Sequence, residues 1–363
     1  MATTSPGRRR DRQVYLRSHP LLFAIMAAVR RWPVLRLGRT VLVNETDAYV
    51  QAMTGLVLDR TAAGTTGGSA RRLTGGELLF DQEGAAHRQA RRDASSMLNS
   101  AGVARIRPVW QELLRQRLAP LAAGGTVDLV QIVAEMAGTT TVSLLDLDVD
   151  PLLVASAARA AAAEAAREQL PGWRRAGQDR NTQVAVDRLA DLLRGANTGD
   201  GLASMIAVAA VNTTVATIPR AVAWCADDRL WSHAADPELL PKLVTELLRV
   251  TVASPVLPRA VAAPGEIGGC PVHAGDRLIL VARHAARAHL SGPDPVNPTA
   301  PRIAQLVFGA GTHSCPGAGL ARAQLADTLA ALAPYRPTVV RARADRRAAL
   351  PAWATLRVRA VAR

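Results

Sequence analysis

The residues best able to do chemistry lie in one stretch, Phe308-Gly-Ala-Gly311-Thr-His313-Ser-Cys315-Pro-Gly317-Ala-Gly-Leu320-Ala321-Arg322. The pattern predicts a glycine-rich loop that runs into a helix beginning just after Cys315. A thiol at a helix N-terminus meets unpaired N–H groups and the positive end of the helix dipole. Both favour the thiolate, so the expected pKa lies below that of a free cysteine. Gly309, Gly311 and Gly317 let the backbone approach a flat group and offer N–H donors to the sulfur. Pro316 sits where a missing N–H costs nothing. The chemistry implied is that of an axial thiolate ligand to the iron of a flat macrocycle.

At this point the chain resembles the cytochrome P450 family. Phe308, Gly311, His313, Cys315, Gly317, Leu320, Ala321 and Arg322 stand at the spacing of that family's heme-binding signature. Upstream, Glu246-Leu-Leu-Arg249 puts an acid and a base on one helical face, and beside Cys315 it resembles the family's ExxR motif. The resemblance implies a buried ion network on the thiolate side, with a structural role. His87-Arg-Gln-Ala-Arg91 places a base and a cation one turn apart. It resembles the pair that holds heme propionates through charge-assisted hydrogen bonds. Arg259 matches a third propionate contact and His313 a fourth. Cofactor-binding residues are therefore expected at Cys315, His87, Arg91, Arg259, His313, Phe308, Gly309 and Gly317, with Cys315 as the metal ligand of heme b.

The oxygen-side helix departs from the family. Gly201–Cys225 is long and apolar and contains Ala209-Ala210-Val211-Asn212-Thr213-Thr214. Thr213 fits the threonine expected to position protons on the oxygen side; the alternative is that its hydroxyl returns to a carbonyl four residues back. Asn212 stands where the family has an acid, and an amide does not titrate. Ala210 stands where a glycine is usual, and Pro219 is expected to kink the helix. Thr213 and Asn212 are the candidate catalytic residues. Ala285-Ala-Arg287-Ala keeps only the arginine of the family's Asn-Arg-Asp-Pro stretch, and the segment from Pro293 to Arg302 is a shortened meander.

Several elements must position these groups. Gln111–Leu121, Pro151–Leu170 and Asn181–Arg194 repeat apolar residues at three and four, which predicts helices. Strand patterns are confined to Val41–Val43, Arg277–Val281 and Leu356–Val361. Thr61–Gly76, rich in Gly, Thr and Ser, reads as a mobile loop. Leu21–Val29 is too short to span a bilayer and is followed by Arg30 and Arg31, so a core helix is expected rather than a signal or a span. The fold class is mainly α with small β-sheets (α+β). The resemblance implies a triangular-prism helical domain with heme between the oxygen-side helix and the Cys-ligand helix. One domain is expected over 1–363, its first twenty residues forming a flexible arm.

Composition narrows the class further. The chain has 363 residues, 49% of them hydrophobic, with a formal charge of +14. That hydrophobic share excludes a disordered chain. Lys242 is the lone lysine among 44 basic residues, which reads as coding bias toward arginine and alanine. Scattered arginine without interleaved aromatics gives no nucleic-acid motif. Cys225, Cys270 and Cys315 are odd in number and far apart, so no disulfide framework is expected and a reducing, cytoplasmic compartment fits. Asp227-Asp228 reads as a solvated helix boundary rather than a metal pair. The resemblance implies a monooxygenase that takes electrons from a ferredoxin and ferredoxin reductase and acts on an apolar secondary metabolite, as a monomer with neither membrane nor nucleic acid as partner. Substrate is expected between Thr61–Gly76, Leu152–Trp173 and the Asn212 helix. The alternatives are coupling, cyclisation or rearrangement on the same fold, motivated by Asn212 and Ala210, or a non-catalytic heme-binding scaffold.

Overall fold

The structure, a computed structural model, describes residues 5–74, 79, 82–169 and 178–361. It opens with α1 (Pro6–Ser18) and α2 (Pro20–Val29), each started by a proline whose absent N–H would have been unpaired. The hairpin β1 (Val34–Leu37) and β2 (Thr40–Val43) follows, then α3 (Thr46–Thr54), β3 (Leu58–Asp59) and α4 (Thr66–Thr74). The middle of the chain is helical: α5 (Gly84–Leu98), α6 (Ser100–Leu118), α7 (Leu129–Leu145), α8 (Pro151–Gln169), α9 (Gln178–Leu192) and α10 (Asp200–Asp227), interrupted by the short β4 (Thr126–Asp128). After the one-turn α11 (Trp231–Ala234) and α12 (Leu240–Val250) come β5 (Leu257–Val261), β6 (Gly265–Ile267), β7 (Cys270–Val272) and β8 (Arg277–Leu280). The chain closes through α13 (Ala282–Ala285), α14 (Pro301–Ala304), α15 (Ala318–Leu332), β9 (Thr338–Ala344) and β10 (Trp353–Arg359).

The mainly α architecture with small sheets is as expected. One sheet runs β1-β2-β8-β5-β3, with β2 and β8 parallel and the other pairs antiparallel. A second runs β4-β10-β9, and β6-β7 forms a separate ribbon. The three strand patterns read from sequence correspond to β2, β8 and β10, the second and third running past the strand ends at Leu280 and Arg359.

The helical core rests on α7, α8 and α10. Sixteen residues of α7 and α8 are alanine, glycine or valine, and their small side chains allow close approach; Gly138 is the extreme case, since a Cβ there would overlap the Pro151 carbonyl. α10 is long and apolar enough to cross a bilayer, yet more than half of its most apolar window is buried within the fold. It continues through Pro219, which forgoes one ladder bond, to Asp227.

Three expectations change. The first twenty residues are not an arm over their described part: α1 buries Asp11, Val14 and Tyr15 against α10. The pull is electrostatic as well as apolar, because Arg220 of α10 is 1% exposed and pairs with Asp11 at 2.7 Å. Part of Thr61–Gly76 is helix α4, packed on α10, α8 and α9. Helix α2 buries Phe23 and Met26 but exposes Leu21 and Ile25, so it lies on the surface of the sheet rather than inside the core.

Candidate functional site

Cys315 sits between a turn and a helix, as its neighbours dictate. Its backbone N–H donates to the Phe308 carbonyl at 2.8 Å, closing the loop into a compact hoop. Gly309 and Gly311 occupy the left-handed region at φ 80° and 72°, where a side chain would be strained. Gly311 also lies against α3, and a Cβ there would meet Thr54 Cγ2 at 3.1 Å. Gly317 follows Cys315 and caps α15, and its N–H donates to the thiol. Arg91 of α5 reaches across to the hoop, donating to the Ser314 carbonyl at 2.7 Å and to Ser314 Oγ at 3.2 Å. The Arg322 guanidinium lies over the Phe308 ring at 4.6 Å.

Burial raises the Cys315 thiol from its ordinary value, while the Gly317 N–H and the charges of Arg91 and Arg322 oppose the shift. Cys315 is reached from an open cavity of about 800 Å³ bounded by Val50 and Thr54 of α3, Arg302, Phe308 and Arg322.

A second set of groups converges beside the hoop. The His87 and His313 rings are 3.9 Å apart. Burial, with Arg60, His87, Arg259 and Arg91 nearby, pushes His313 down to about 3. Burial also lowers Arg259 to about 10, and it raises the Tyr49 phenol to about 12. Three polar atoms here are buried without a partner: His87 Nε2, Arg259 Nε and Tyr49 Oη. Buried polar groups normally find partners, and the neutral rings here stand among the cations Arg60, Arg91 and Arg259. The arrangement offers several N–H and O–H donors to an anion. His87, Arg91, Arg259 and His313 were singled out from sequence; Arg60 and Tyr49 were missed. No local pattern marks either one, and only the pairing of β3 with β5 and the packing of α3 bring them in.

On the thiolate side, Glu246 and Arg249 are 1% and 0% exposed and make a bidentate pair at 2.9 and 2.6 Å. Arg249 also donates to the carbonyls of Arg287 and Gly292 at 3.1 and 2.8 Å. Glu246 accepts from the backbone N–H groups of Asp294 and Thr299 at 3.2 and 3.0 Å. The pair therefore pins the meander that precedes the Cys315 loop. Arg287 contributes its backbone: it lies at φ 55° with its carbonyl turned to Arg249.

On α10, Thr213 Oγ1 donates to the Ala209 carbonyl at 2.8 Å, the local bond weighed against the oxygen-side role. Asn212 Nδ2 donates to the Val208 carbonyl at 2.8 Å and to the Ala158 carbonyl of α8 at 3.1 Å. A carboxylate could make neither bond. The neighbouring Thr214 joins a buried relay through Gln324 of α15 to Thr140 of α7, at 3.4 and 2.9 Å, which sequence reasoning did not find. Asp227 and Asp228 bind α1, through Arg10 and the Gly7 N–H, rather than a metal. Among the described residues no group of three His, Cys, Asp or Glu side chains is placed to hold a metal ion.

A cysteine hoop at the start of a helix, buttressed by a buried Glu–Arg pair in a mainly helical fold with small sheets, is the arrangement of a heme-thiolate protein, and the chain is similar in sequence and in fold to cytochromes P450. The prosthetic group that this likeness implies is heme b. The residues present fit that group: Cys315 supplies a thiol with a backbone donor, and the unpartnered His87 Nε2 and Arg259 Nε are donors for its carboxylates. No family model matches the chain. It is 27% identical over 283 residues to the erythromycin C-12 hydroxylase of Saccharopolyspora erythraea, covering 65% of this chain and 67% of that protein. It is 38% identical over 108 residues to cytochrome P450 105C1 of a Streptomyces species, covering 29% and 28%. The match thus spans little more than a quarter of that relative's length. In structure it is similar to Mycobacterium marinum CYP268A2 (TM-score 0.77, 19% identity, 96% of each chain). It is also similar to P450BioI in complex with a fatty-acyl carrier protein (TM-score 0.74, 17% identity, 95% and 99%).

Proposed function

We propose that the protein is a heme-thiolate monooxygenase of secondary metabolism, with Cys315 as the iron ligand. The observation that carries this reading is the Cys315 hoop with the converging donors of His87, Arg91, Arg259 and His313, of which His87 Nε2 and Arg259 Nε are buried without a partner. When bound, heme b supplies activation of dioxygen, so that one oxygen atom enters a substrate C–H bond and two electrons come from a ferredoxin and its reductase. The chain's own residues do the rest. The Gly317 N–H and the Arg91 anchor on Ser314 hold the sulfur in place. His87, Arg91, Arg259 and His313 hold the carboxylates. Thr213 keeps its oxygen free to accept one further hydrogen bond while its proton rests on Ala209. Substrate lies between α4, α8 and α10, where aliphatic and alanine side chains favour a bulky apolar molecule and exclude water. Two relatives are named as an erythromycin hydroxylase and a mycaminosyltylactone monooxygenase, which supports an apolar secondary metabolite as substrate. The exposed Arg302 beside Arg322 suits an acidic ferredoxin. A cytoplasmic monomer completes the reading.

The test is the reduced carbon monoxide complex of the heme-loaded protein, which should show the absorption of a thiolate-ligated heme. Cys315→Ser should abolish that signature, and its survival in the variant would refute the assignment. Incorporation of oxygen-18 from dioxygen into product then tests monooxygenation. A second reading, oxidative coupling or rearrangement without oxygen insertion, is favoured by Asn212, whose amide protons are both committed to carbonyls. Product formed without the label would select it.

A further inference from the structure

We propose that Arg60 and Arg259 form a two-armed clamp for one heme propionate, with Glu83 as the exchangeable partner that occupies Arg60 in its absence. This rests on the heme-thiolate reading. The clamp follows from how two strands meet. β3 and β5 are antiparallel with Leu58 opposite Val261 and Asp59 opposite Ala260. Arg60 follows the last paired residue of β3, Arg259 precedes Ala260 in β5, and both line one cavity. The two like charges are close enough that Arg60 helps to lower Arg259. Two guanidinium groups side by side are stable only when an anion lies between or beside them.

The anion at hand is insufficient. Glu83 Oε1 is 3.2 Å from Arg60 Nε, but its side chain is 59% exposed while that of Arg60 is 12% exposed. A carboxylate left mostly in water is a weak and replaceable partner. Arg259 gains nothing from it. One terminal nitrogen of Arg259 donates to Thr66 Oγ1 at 2.7 Å and to the Pro258 carbonyl at 2.9 Å. Its Nε is buried with no partner, as is His87 Nε2 nearby. Arg60, Arg259 and Glu83 together line a cavity of about 620 Å³, so a carboxylate has room beside the two guanidinium groups. Arg60 thereby joins the set without belonging to any of the motifs that mark the other members.

The experiment is heme retention and midpoint reduction potential for wild type, Arg60→Gln, Arg60→Lys and Glu83→Gln. Heme transfer to apomyoglobin serves as the binding readout, and far-UV circular dichroism of each variant shows that it has folded. Losing one charge-assisted bond predicts roughly tenfold weaker retention in Arg60→Gln. A propionate with less compensation stabilises the ferric state, so the potential should fall. Arg60→Lys should recover part of both effects, and Glu83→Gln should retain heme at least as well as wild type. A wild-type protein that takes up no heme overturns the underlying reading. A wild type that binds heme, with Arg60→Gln unchanged in retention and potential, overturns the clamp alone. If Arg60→Gln weakens retention but Arg60→Lys matches it and the potential does not move, the role is packing and the clamp is wrong.

Discussion

Replacing Asp11 with asparagine removes a buried charge whose partner, Arg220, lies 209 residues along the chain, and the loss in stability should be large. Asp11 Oδ1 accepts from Arg220 Nε at 2.8 Å and lies 2.7 Å from its terminal nitrogen. The two side chains are 3% and 1% exposed. Arg220 also donates to the Tyr15 hydroxyl and, at 2.9 Å, to the Thr251 carbonyl. Arg283 stands 3.6 Å from the other Asp11 oxygen and lies 4.2 Å from the centre of the Tyr15 ring, against 4.5 Å for Arg220. Without Asp11, two guanidinium groups flank one aromatic ring with no anion. Breaking a buried pair costs about 3–5 kcal/mol. The asparagine oxygen can still accept one bond, which places the expected loss near 3 kcal/mol, with the second cation pushing it higher. Urea unfolding at pH 7 measures it, read as a shift in midpoint because a bound prosthetic group complicates a two-state fit. The double variant Asp11→Asn with Arg220→Met should recover much of the loss, since the uncompensated charge is then gone. A loss under about 1 kcal/mol, or no recovery in the double variant, would refute the view that α1 is held by charge.

The remaining predictions concern the site and its supports. Asn212→Asp should lower stability by about 1–3 kcal/mol, because two donors to Val208 and Ala158 are lost and a carboxylate faces their carbonyls; unchanged melting and unchanged hydrogen exchange in α8 would contradict this. Glu246→Gln should cost about 3–5 kcal/mol and loosen the 287–299 meander, read as faster proteolysis there. Acid should destabilise the fold through His284 and His289, which burial lowers to about 3 and about 4. The folded state holds both rings neutral, so their contribution is present above the unfolded value near 6.5 and is lost as pH falls from there toward the folded values. His284→Gln, which can still meet Asn44, should flatten the stability profile between pH 6.5 and 4; an unchanged slope would refute it.

What was legible in the chain is what its chemistry makes local. The Cys315 hoop could be read because glycine, proline and cysteine each have one reason to stand where they do within ten residues. Glu246 and Arg249 could be read because a helix turn brings them together, and β2, β8 and β10 because alternation is a property of neighbouring residues. Helix α4 was not legible, since Thr, Ser and Gly carry no apolar period, and it is helical because α8, α9 and α10 pack against it.

The same division separates motif from site. The order of residues established an iron-binding loop, its buttress and a long apolar helix. Only the folded chain could bring Arg60 and Arg259 to one cavity, spend the Asn212 amide on α8, and give the buried Arg220 its counter-ion from a segment 209 residues away. Charge pairing and desolvation act through space, and a linear sequence records separation along the chain rather than distance.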